Sequence, residues 1–114
     1  MPTSRLQELL RYFDDRGVAA EFCQYVLGRL VAYDRAHNAD LFRTLRVYFR
    51  CGGNAVEAAE QLFLHRNSLL YRLQRIETLL GIDLKDPHDR LTANLAVEFA
   101  ELLQNLPDAE EALR

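Results

Sequence analysis

The segment between His65 and Thr78 concentrates side chains that could bind a ligand through hydrogen bonds. Arginine can donate two hydrogen bonds to guanine and asparagine can bond two edge groups of adenine, each worth roughly 1 to 3 kcal/mol of discrimination. These residue types therefore favour recognition of base-pair edges and phosphates over catalysis. On a helical wheel at about 100° per residue, one face collects Asn67, Ser68, Tyr71, Gln74, Arg75 and Thr78.

The position of each side chain along this segment suggests its role. We predict that Arg66 and Asn67 contact base edges, because the first residues of a reading helix lie in the major groove. Arg72 and Arg75 lie farther along and to one side, which favours phosphate contacts, and Ser68 could donate to phosphate or base. The full predicted DNA-contacting set, including the histidine just before the helix, is His65, Arg66, Asn67, Ser68, Leu70, Tyr71, Arg72, Gln74 and Arg75.

Leu70 is the apolar member of this set and lies on the flank of the polar face. Two interpretations of it remain open. An exposed leucine there would meet a thymine methyl group or a neighbouring helix. Alternatively, the apolar stripe of the helix is slightly rotated and Leu70 packs in the core.

Two short helices joined by a tight turn would position these side chains. The second helix is predicted from about Arg66 to Leu80, with a buried stripe that also includes Leu69, Leu73 and Ile76. Paired alanines at 58 and 59 in the first helix would let another helix approach closely. The boundary signals are a Gly52-Gly53 stop, Asn54 and Glu57 in capping-box spacing, Phe63 and Leu64 in the turn, and Gly81 at the C-cap. Together these signals are typical of a helix-turn-helix.

Amphipathic helices are predicted on both sides of this unit. One begins at Ser4 and stops before Gly17, with an apolar pattern that runs to Phe13. Another region spans 18–37, where Gly28 is expected to break it into two shorter helices. The predicted fold is therefore all-α, a small helical bundle that contains the helix-turn-helix. Asn38 or Asp40 would cap the helix before the helix-turn-helix, whose buried face would be Leu41, Leu45, Tyr48 and Phe49 with Phe42 beside it. A last helix would begin at Asp86, Pro87 and Asp89 and run through Leu103.

Charge is segregated along the chain, whose net value is −3. Between positions 43 and 75 there are six arginines and two glutamates, a local balance of +4 that leaves −7 for the remainder. Because local charge decides a binding face, the acidic total does not exclude a nucleic-acid partner. Neither a membrane-spanning apolar run nor an apolar signal core is present, so we predict a cytoplasmic protein without a membrane partner.

The residues offer little support for an enzyme or for a bound metal or cofactor. His37, His65 and His88 are far apart in sequence, and the acidic pair Asp86 and Asp89 is explained by helix capping. We therefore predict no catalytic residue, no metal site and no cofactor. Cys23 and Cys51 are expected to be two buried thiols rather than a disulfide.

From about Leu27 to Leu103 the chain resembles the C-terminal helix-turn-helix domain of the PucR and CdaR family of bacterial transcription regulators. The matching stretches are LGRLVAYDRAHNADLFRTLRVYF, GGNAVEAAEQLFLHRNSLLYRLQRIETLLGIDL and DPHDRL. Their core is also similar to the DNA-binding end of the nucleoid protein Fis, with Phe63 where Fis-like turns carry glycine, which implies a slightly different turn. The resemblance implies an all-helical DNA-binding output domain. In that family the domain follows an N-terminal sensory region and a GGDEF-like region, neither visible in these residues.

Three segments follow from this resemblance. We predict linker and packing helices over 1–37, the DNA-binding domain over 38–105 and a frayed tail over 106–114. The chain would be an excised C-terminal part of a longer regulator, in preference to a stand-alone remnant.

The predicted partner is double-stranded DNA, bound by a homodimer on half-sites about 34 Å apart. The dimer contact would use the first helix, or the last helix with Leu95, Phe99, Leu102 and Leu103. The competing hypothesis is a helical dimerisation or protein-interaction domain with little intrinsic DNA affinity.

Overall fold

Five helices make up the regular secondary structure of residues 16–104, the part of the chain that the computed structural model describes. The all-α prediction is confirmed for these residues, none of whose helices is long and apolar enough to cross a membrane. The predicted helix from Ser4 to just before Gly17 lies outside the described residues except for Arg16, with which the first described helix begins, and the tail over 106–114 also lies outside them. The helices are α1 (Arg16–His37), α2 (Leu41–Arg50), α3 (Ala55–Gln61), α4 (Arg66–Leu80) and α5 (Pro87–Gln104).

The core forms where α1 lies against α5 and both meet the group made by α2, α3 and α4. At the first of these contacts the rings of Phe22 and Phe99 meet edge to face, with 6.1 Å between their centroids. Burying one leucine side chain stabilises a fold by roughly 1.5 to 3 kcal/mol. The largest fully buried side chains are Leu27, Leu30, Thr44, Leu45, Leu69, Ile76, Val97 and Leu103.

Helix α1 is continuous over 22 residues, so the predicted break at Gly28 is wrong. Glycine in a helix interior costs only about 1 kcal/mol relative to alanine. The neighbouring Leu27 and Leu30 are both buried in the core. Their packing outweighs the local preference of Gly28, as is usual for helices held by an apolar face.

The junction between α1 and α2 is held by Asp34, which the sequence did not indicate. Its carboxylate accepts hydrogen bonds from the backbone amides of Leu41 at 2.8 Å and Phe42 at 2.9 Å. Asp40 does occupy the N-cap position of α2, but its side chain accepts no capping bond. Asn38 instead adopts a left-handed conformation, with φ of 49°, in the intervening turn. The end of α1 therefore satisfies the free amides at the start of α2.

The predicted capping of α5 is confirmed. The carboxylate of Asp86 accepts a hydrogen bond from the amide of Asp89 at 2.9 Å, and the helix begins at Pro87. The carboxylate of Asp89 in turn accepts from the amide of Asp83 at 3.0 Å. These bonds fix the loop that leads from α4 into α5.

The two cysteines are both free thiols, but only Cys23 is buried. Cys51 is half-buried, so the prediction of two buried thiols is correct for one of them. The thiol of Cys23 donates to the carbonyl oxygen of Ala96 at 3.4 Å, between α1 and α5. Burial raises the pKa of Cys23 from about 9 to about 11, because the charged thiolate would lose its hydration.

Candidate nucleic-acid interface

The predicted pair of short helices is present as α3 and α4. Asn54 caps α3 by accepting a hydrogen bond from the amide of Glu57 at 3.1 Å. Gly81 closes α4 in the left-handed conformation, with φ of 66°. Ala58 and Ala59 are buried where α3 packs on α4, and α2 packs against both helices. The sequence signals for this unit are therefore confirmed.

The turn between α3 and α4 contains a non-glycine residue in the left-handed region. Phe63 has φ of 56°, and 94% of its surface is exposed. This backbone conformation costs a non-glycine residue about 1 kcal/mol or more. Because the ring projects into solvent, its size causes no clash with the core. Leu64 follows half-buried, with its amide bonded to the carbonyl of Ala59 at 2.9 Å.

His65 is the N-cap of α4. Its Nδ1 accepts a hydrogen bond from the backbone amide of Asn67 at 3.1 Å. An Nδ1 that accepts requires the proton on Nε2 in the neutral ring. The exposed His65 therefore presents an Nε2–H donor beside the first turn of α4.

The N-terminal half of α4 presents a polar face that is open to solvent. Asn67, Ser68, Tyr71 and Gln74 are all exposed. Within the described part of the chain, the side chains of Arg66, Asn67, Ser68 and Gln74 make no hydrogen bond or ion pair. The opposite side of α4 is buried at Leu69, Leu73 and Ile76, while Leu80 is half-buried. The predicted division of this helix into two faces is confirmed.

Leu70 lies on the flank of the polar face with 42% of its surface exposed. The interpretation of this residue as a core leucine is therefore wrong. By the spacing of the helix, its side chain neighbours that of Asn67, three residues earlier. It remains placed to meet an apolar group outside the described chain.

Arg72 is directed toward α2 rather than straight into solvent. Its guanidinium donates to the hydroxyl of Thr44 at 3.2 Å, and the hydroxyl of Thr44 donates to the carbonyl of Asp40 at 2.8 Å. Thr44 is the buried polar residue of α2. Arg72 is half-buried, and its guanidinium is held by this bond to the neighbouring helix.

Arg75 is held by two aromatic rings from different helices. Its guanidinium carbon lies 5.7 Å from the ring centroid of Tyr71 on α4 and 5.7 Å from that of Tyr33 on α1. One guanidinium nitrogen donates to the hydroxyl of Tyr71 at 2.9 Å, and this bond, with a smaller effect of Tyr33, raises the pKa of Arg75. Sequence reasoning missed Tyr33, because nothing in its own surroundings along the chain indicates that it reaches α4.

The remaining arginines of the basic segment serve other contacts. Arg50 lies 2.7 Å and Arg46 3.7 Å from the carboxylate of Glu101 on α5. Arg43 lies 3.4 Å from the carboxylate of Asp40, the N-cap residue of its own helix. Half of the six arginines counted in the sequence therefore face carboxylates. The balance of +4 overstates the positive charge near α4.

A short helix, a tight turn and a second helix with an exposed polar face, braced by α2, together define a helix-turn-helix domain. A family model described as the PucR C-terminal helix-turn-helix domain matches residues 41–99. This chain belongs to that family. The match covers α2, α3 and α4 and most of α5, and it begins after α1.

Relatives with curated descriptions agree with this assignment. The purine catabolism regulatory protein of Bacillus subtilis is 36% identical over 73 residues, which cover 64% of this chain and 14% of that protein. The carbohydrate diacid regulator of Escherichia coli is 41% identical over 75 residues, 66% of this chain and 19% of that protein. The proline-responsive transcriptional activator PutR of Bacillus subtilis is 36% identical over 81 residues, 68% of this chain and 20% of that protein.

These relatives are described as regulators, which agrees with the prediction of a non-enzymatic role. The chain spans a fifth or less of the length of each of the three. No solved structure matches the chain at a significant level.

Proposed function

We propose that this chain binds double-stranded DNA as the output domain of a transcriptional regulator, with α4 in the major groove. The observation that carries the proposal is the exposed start of α4, where the side chains of Arg66, Asn67 and Ser68 have no hydrogen-bond or ion-pair partner among the described residues. A major groove about 12 Å wide admits an α-helix. The buried side of α4 fixes the helix, so these side chains can meet a ligand without unfolding the domain.

Within this interface, Arg66 and Asn67 would contact base edges, because they lie at the start of the helix. Ser68 and the Nε2–H of His65 would donate to phosphate or base. The amide end of a helix favours nearby anions, which supports a phosphate in this position. The exposed Leu70 would meet a thymine methyl group. Gln74 and Tyr71 would extend the same contact surface, with Arg72 and Arg75 anchoring phosphates.

We also propose that residues 38–105 act as a homodimer in the cytoplasm, on two half-sites about 34 Å apart. In this proposal a sensory region of the longer regulator controls the domain, and residues 1–37 link the two. Phe99 and Leu103 are buried within the chain, so of the four predicted residues only the half-buried Leu95 and Leu102 are available for a dimer contact through α5. The alternative contact through residues 4–13 lies outside the described residues. Analytical ultracentrifugation with and without DNA would test dimer formation.

A salt titration against a pool of random-sequence duplexes, followed by sequencing of the retained DNA, tests the central proposal. Binding that falls steeply with salt and enriches a two-fold symmetric motif is expected, because phosphate contacts release counterions. Arg66→Ala should change the retained sequences, whereas Arg90→Ala should not. Arg90 is a matched control because it is an exposed arginine on α5, which packs on α1 and α2.

Absence of binding even at low salt would overturn the proposal. If the chain still dimerised under those conditions, the result would favour the competing hypothesis of a helical dimerisation domain. Affinity that does not change with salt concentration would also contradict the proposal, because each phosphate neutralised by an arginine makes binding more dependent on salt.

A further inference from the structure

The end of α1 contributes a fixed aromatic group beside α4, although the family match begins only at Leu41. Tyr33 lies within cation–π distance of Arg75, with 5.7 Å between guanidinium carbon and ring centroid. The contact joins two helices that are separated along the chain by α2 and α3. It is therefore a product of the tertiary fold, and the helix-turn-helix alone does not supply it.

The ring of Tyr33 is itself held in place. His37, one turn later on α1, stacks on it with 4.1 Å between ring centroids and 22° between the planes. The Nδ1 of His37 lies 3.1 Å from the carbonyl oxygen of Tyr33 and donates to it, because a carbonyl can only accept. The ring of Tyr33 thus contacts both His37 and Arg75. A side chain contacted in this way has little rotational freedom left to lose on binding.

Arg75 keeps its charge available in this arrangement. One nitrogen donates to the hydroxyl of Tyr71, which leaves most of the five guanidinium donors unused. Within the described part of the chain, no carboxylate pairs with Arg75, in contrast to Arg46 and Arg50. Aromatic faces orient a guanidinium without neutralising it. The ligand that suits such a group is an external anion with paired oxygens, such as a phosphodiester.

The position of Arg75 on α4 selects the backbone of DNA over its bases. Asn67, Tyr71 and Arg75 are spaced four residues apart and share one row of the helix. Arg75 therefore stands about 12 Å along the axis from Asn67. Arg75 is thus about two turns beyond the residues at the start of α4, which in a recognition helix are the ones that meet base edges. Groups that flank this start contact phosphates, so the position of Arg75 favours a backbone contact.

We propose that Tyr33 is a positioning residue that holds the guanidinium of Arg75 for contact with a DNA phosphate, which makes the end of α1 part of the interface. This inference rests on the proposed function. His37, one turn further along α1, supports this contact by stacking on the ring of Tyr33. The contact is independent of base sequence, because only phosphate is involved.

The test measures binding of the full chain to a short random-sequence duplex by fluorescence anisotropy over a series of salt concentrations. Tyr33→Leu should weaken binding about two- to fivefold for all sequences, the fold-change that an exposed cation–π contact represents. Tyr33→Phe should retain affinity within about twofold, because the ring that faces Arg75 is kept. Tyr25→Leu is the matched control, since Tyr25 is 90% exposed on the same helix.

A double-mutant cycle separates positioning from a general effect on the fold. Arg75→Gln should lower the salt slope by about one, and adding Tyr33→Leu to it should cause no further loss. An equal loss from Tyr33→Leu with and without Arg75 would overturn the inference. Wild-type affinity of Tyr33→Leu would overturn it too, while leaving the proposed function intact. Failure of the wild-type chain to bind any duplex would overturn both.

A measurement on the free protein keeps the inference testable if Tyr33→Leu fails to fold. In NMR spectra of the wild-type chain, the side-chain protons of Arg75 should be shifted upfield by the two flanking rings. Tyr33→Phe should preserve this shift. Unshifted Arg75 protons in the wild type would overturn the inference, because the guanidinium would then not be held before DNA arrives.

Discussion

The two sides of α4 differ in what fixes their side chains. On the buried side, Leu69, Leu73 and Ile76 are held by packing against the other helices. On the exposed side, the side chains of Asn67 and Ser68 have no hydrogen-bond partner in the described chain. One helix therefore carries both the stabilising residues and the candidate recognition residues, one residue apart. The comparison implies that stability and recognition can be altered separately by neighbouring substitutions.

The exposed side also differs along its length. Near its start the polar side chains are unbonded and can adapt to a ligand. Farther along, Arg72 is bonded to Thr44, and Arg75 is held between Tyr33 and Tyr71. Adaptable groups suit contacts that discriminate between bases, and fixed arginines suit anchoring to a uniform backbone. This difference supports separate roles for the two halves of the helix.

The largest expected effect comes from Leu73→Ala on the buried side of α4. Removing this side chain should lower the free energy of unfolding by roughly 2 to 5 kcal/mol, through lost transfer energy and a cavity. Urea denaturation followed by circular dichroism would measure it. The adjacent Gln74→Ala should change stability by less than about 0.5 kcal/mol, because the residue is exposed. If Leu73→Ala were stable and Gln74→Ala unfolded, the assignment of Leu73 to the buried face and Gln74 to the exposed face would be wrong.

Arg66→Ala and Asn67→Ala should act on recognition and leave the fold intact. Each is expected to lose roughly 1 to 3 kcal/mol of discrimination between the selected duplex and a scrambled one. Competition binding with the two duplexes measures this difference, with Arg90→Ala as the control. Thermal denaturation should show unchanged stability. Collapse of the Arg66 variant in that measurement would mean that the start of α4 is structural.

The packing of α1 against α5 around Cys23 is expected to weaken at alkaline pH. Because the pKa of Cys23 is raised to about 11 in the folded chain, the unfolded chain loses its thiol proton first, from about pH 9 upward. This contribution to stability is fully present below pH 9 and is lost as pH rises through 11. The loss should be on the order of 2 kcal/mol.

Chemical denaturation at pH about 8 and about 11 would test this pH dependence. Cys23→Ala removes the titrating group and should lose less stability between the two pH values than the wild type. Subtracting the change in unfolding free energy of Cys23→Ala from that of the wild type removes the contribution of other groups, which is common to both proteins. An equal alkaline loss in both would show that Cys23 does not contribute.

Phe63→Gly should raise stability by about 1 kcal/mol, because glycine adopts the left-handed conformation of the turn without strain. Phe63→Ala is the matched control, since it removes the same exposed ring but keeps a Cβ at positive φ. Thermal denaturation of both variants would separate backbone strain from loss of the ring. Lower stability of the glycine variant would mean that the turn depends on the aromatic side chain.

Local signals account for the parts of the fold that the sequence predicted well. The cap at Asn54 and the closing Gly81 act within one turn of the helices they bound, so both could be recognised from the neighbouring residues. The buried stripe of α4 follows from its 3.6-residue period. The all-α class and the helix-turn-helix could therefore be inferred before the structure was known.

The features that were missed depend on residues distant along the chain. Gly28 remains helical because of tertiary burial around it, and Asp34 caps a helix that is not its own. The pairing of Arg50 with Glu101 and the approach of Tyr33 to Arg75 likewise require the assembled fold. The sequence shows the number of charged residues in a segment, but it does not show the partners of their side chains in the fold. The DNA contacts themselves stay predictions, since they depend on a partner outside the chain.

The two bonds from Asp34 have a mechanical consequence for the domain. Rotating α1 about its axis by one residue position, about 100°, would carry the carboxylate away from both amides of α2. As long as both bonds persist, the end of α1 and the start of α2 keep a fixed orientation relative to each other. Because α2 also packs on α4, we expect a rotation of α1 to be passed to the helix-turn-helix through α2. One aspartate thereby couples the orientation of the long helix to that of the candidate recognition helix.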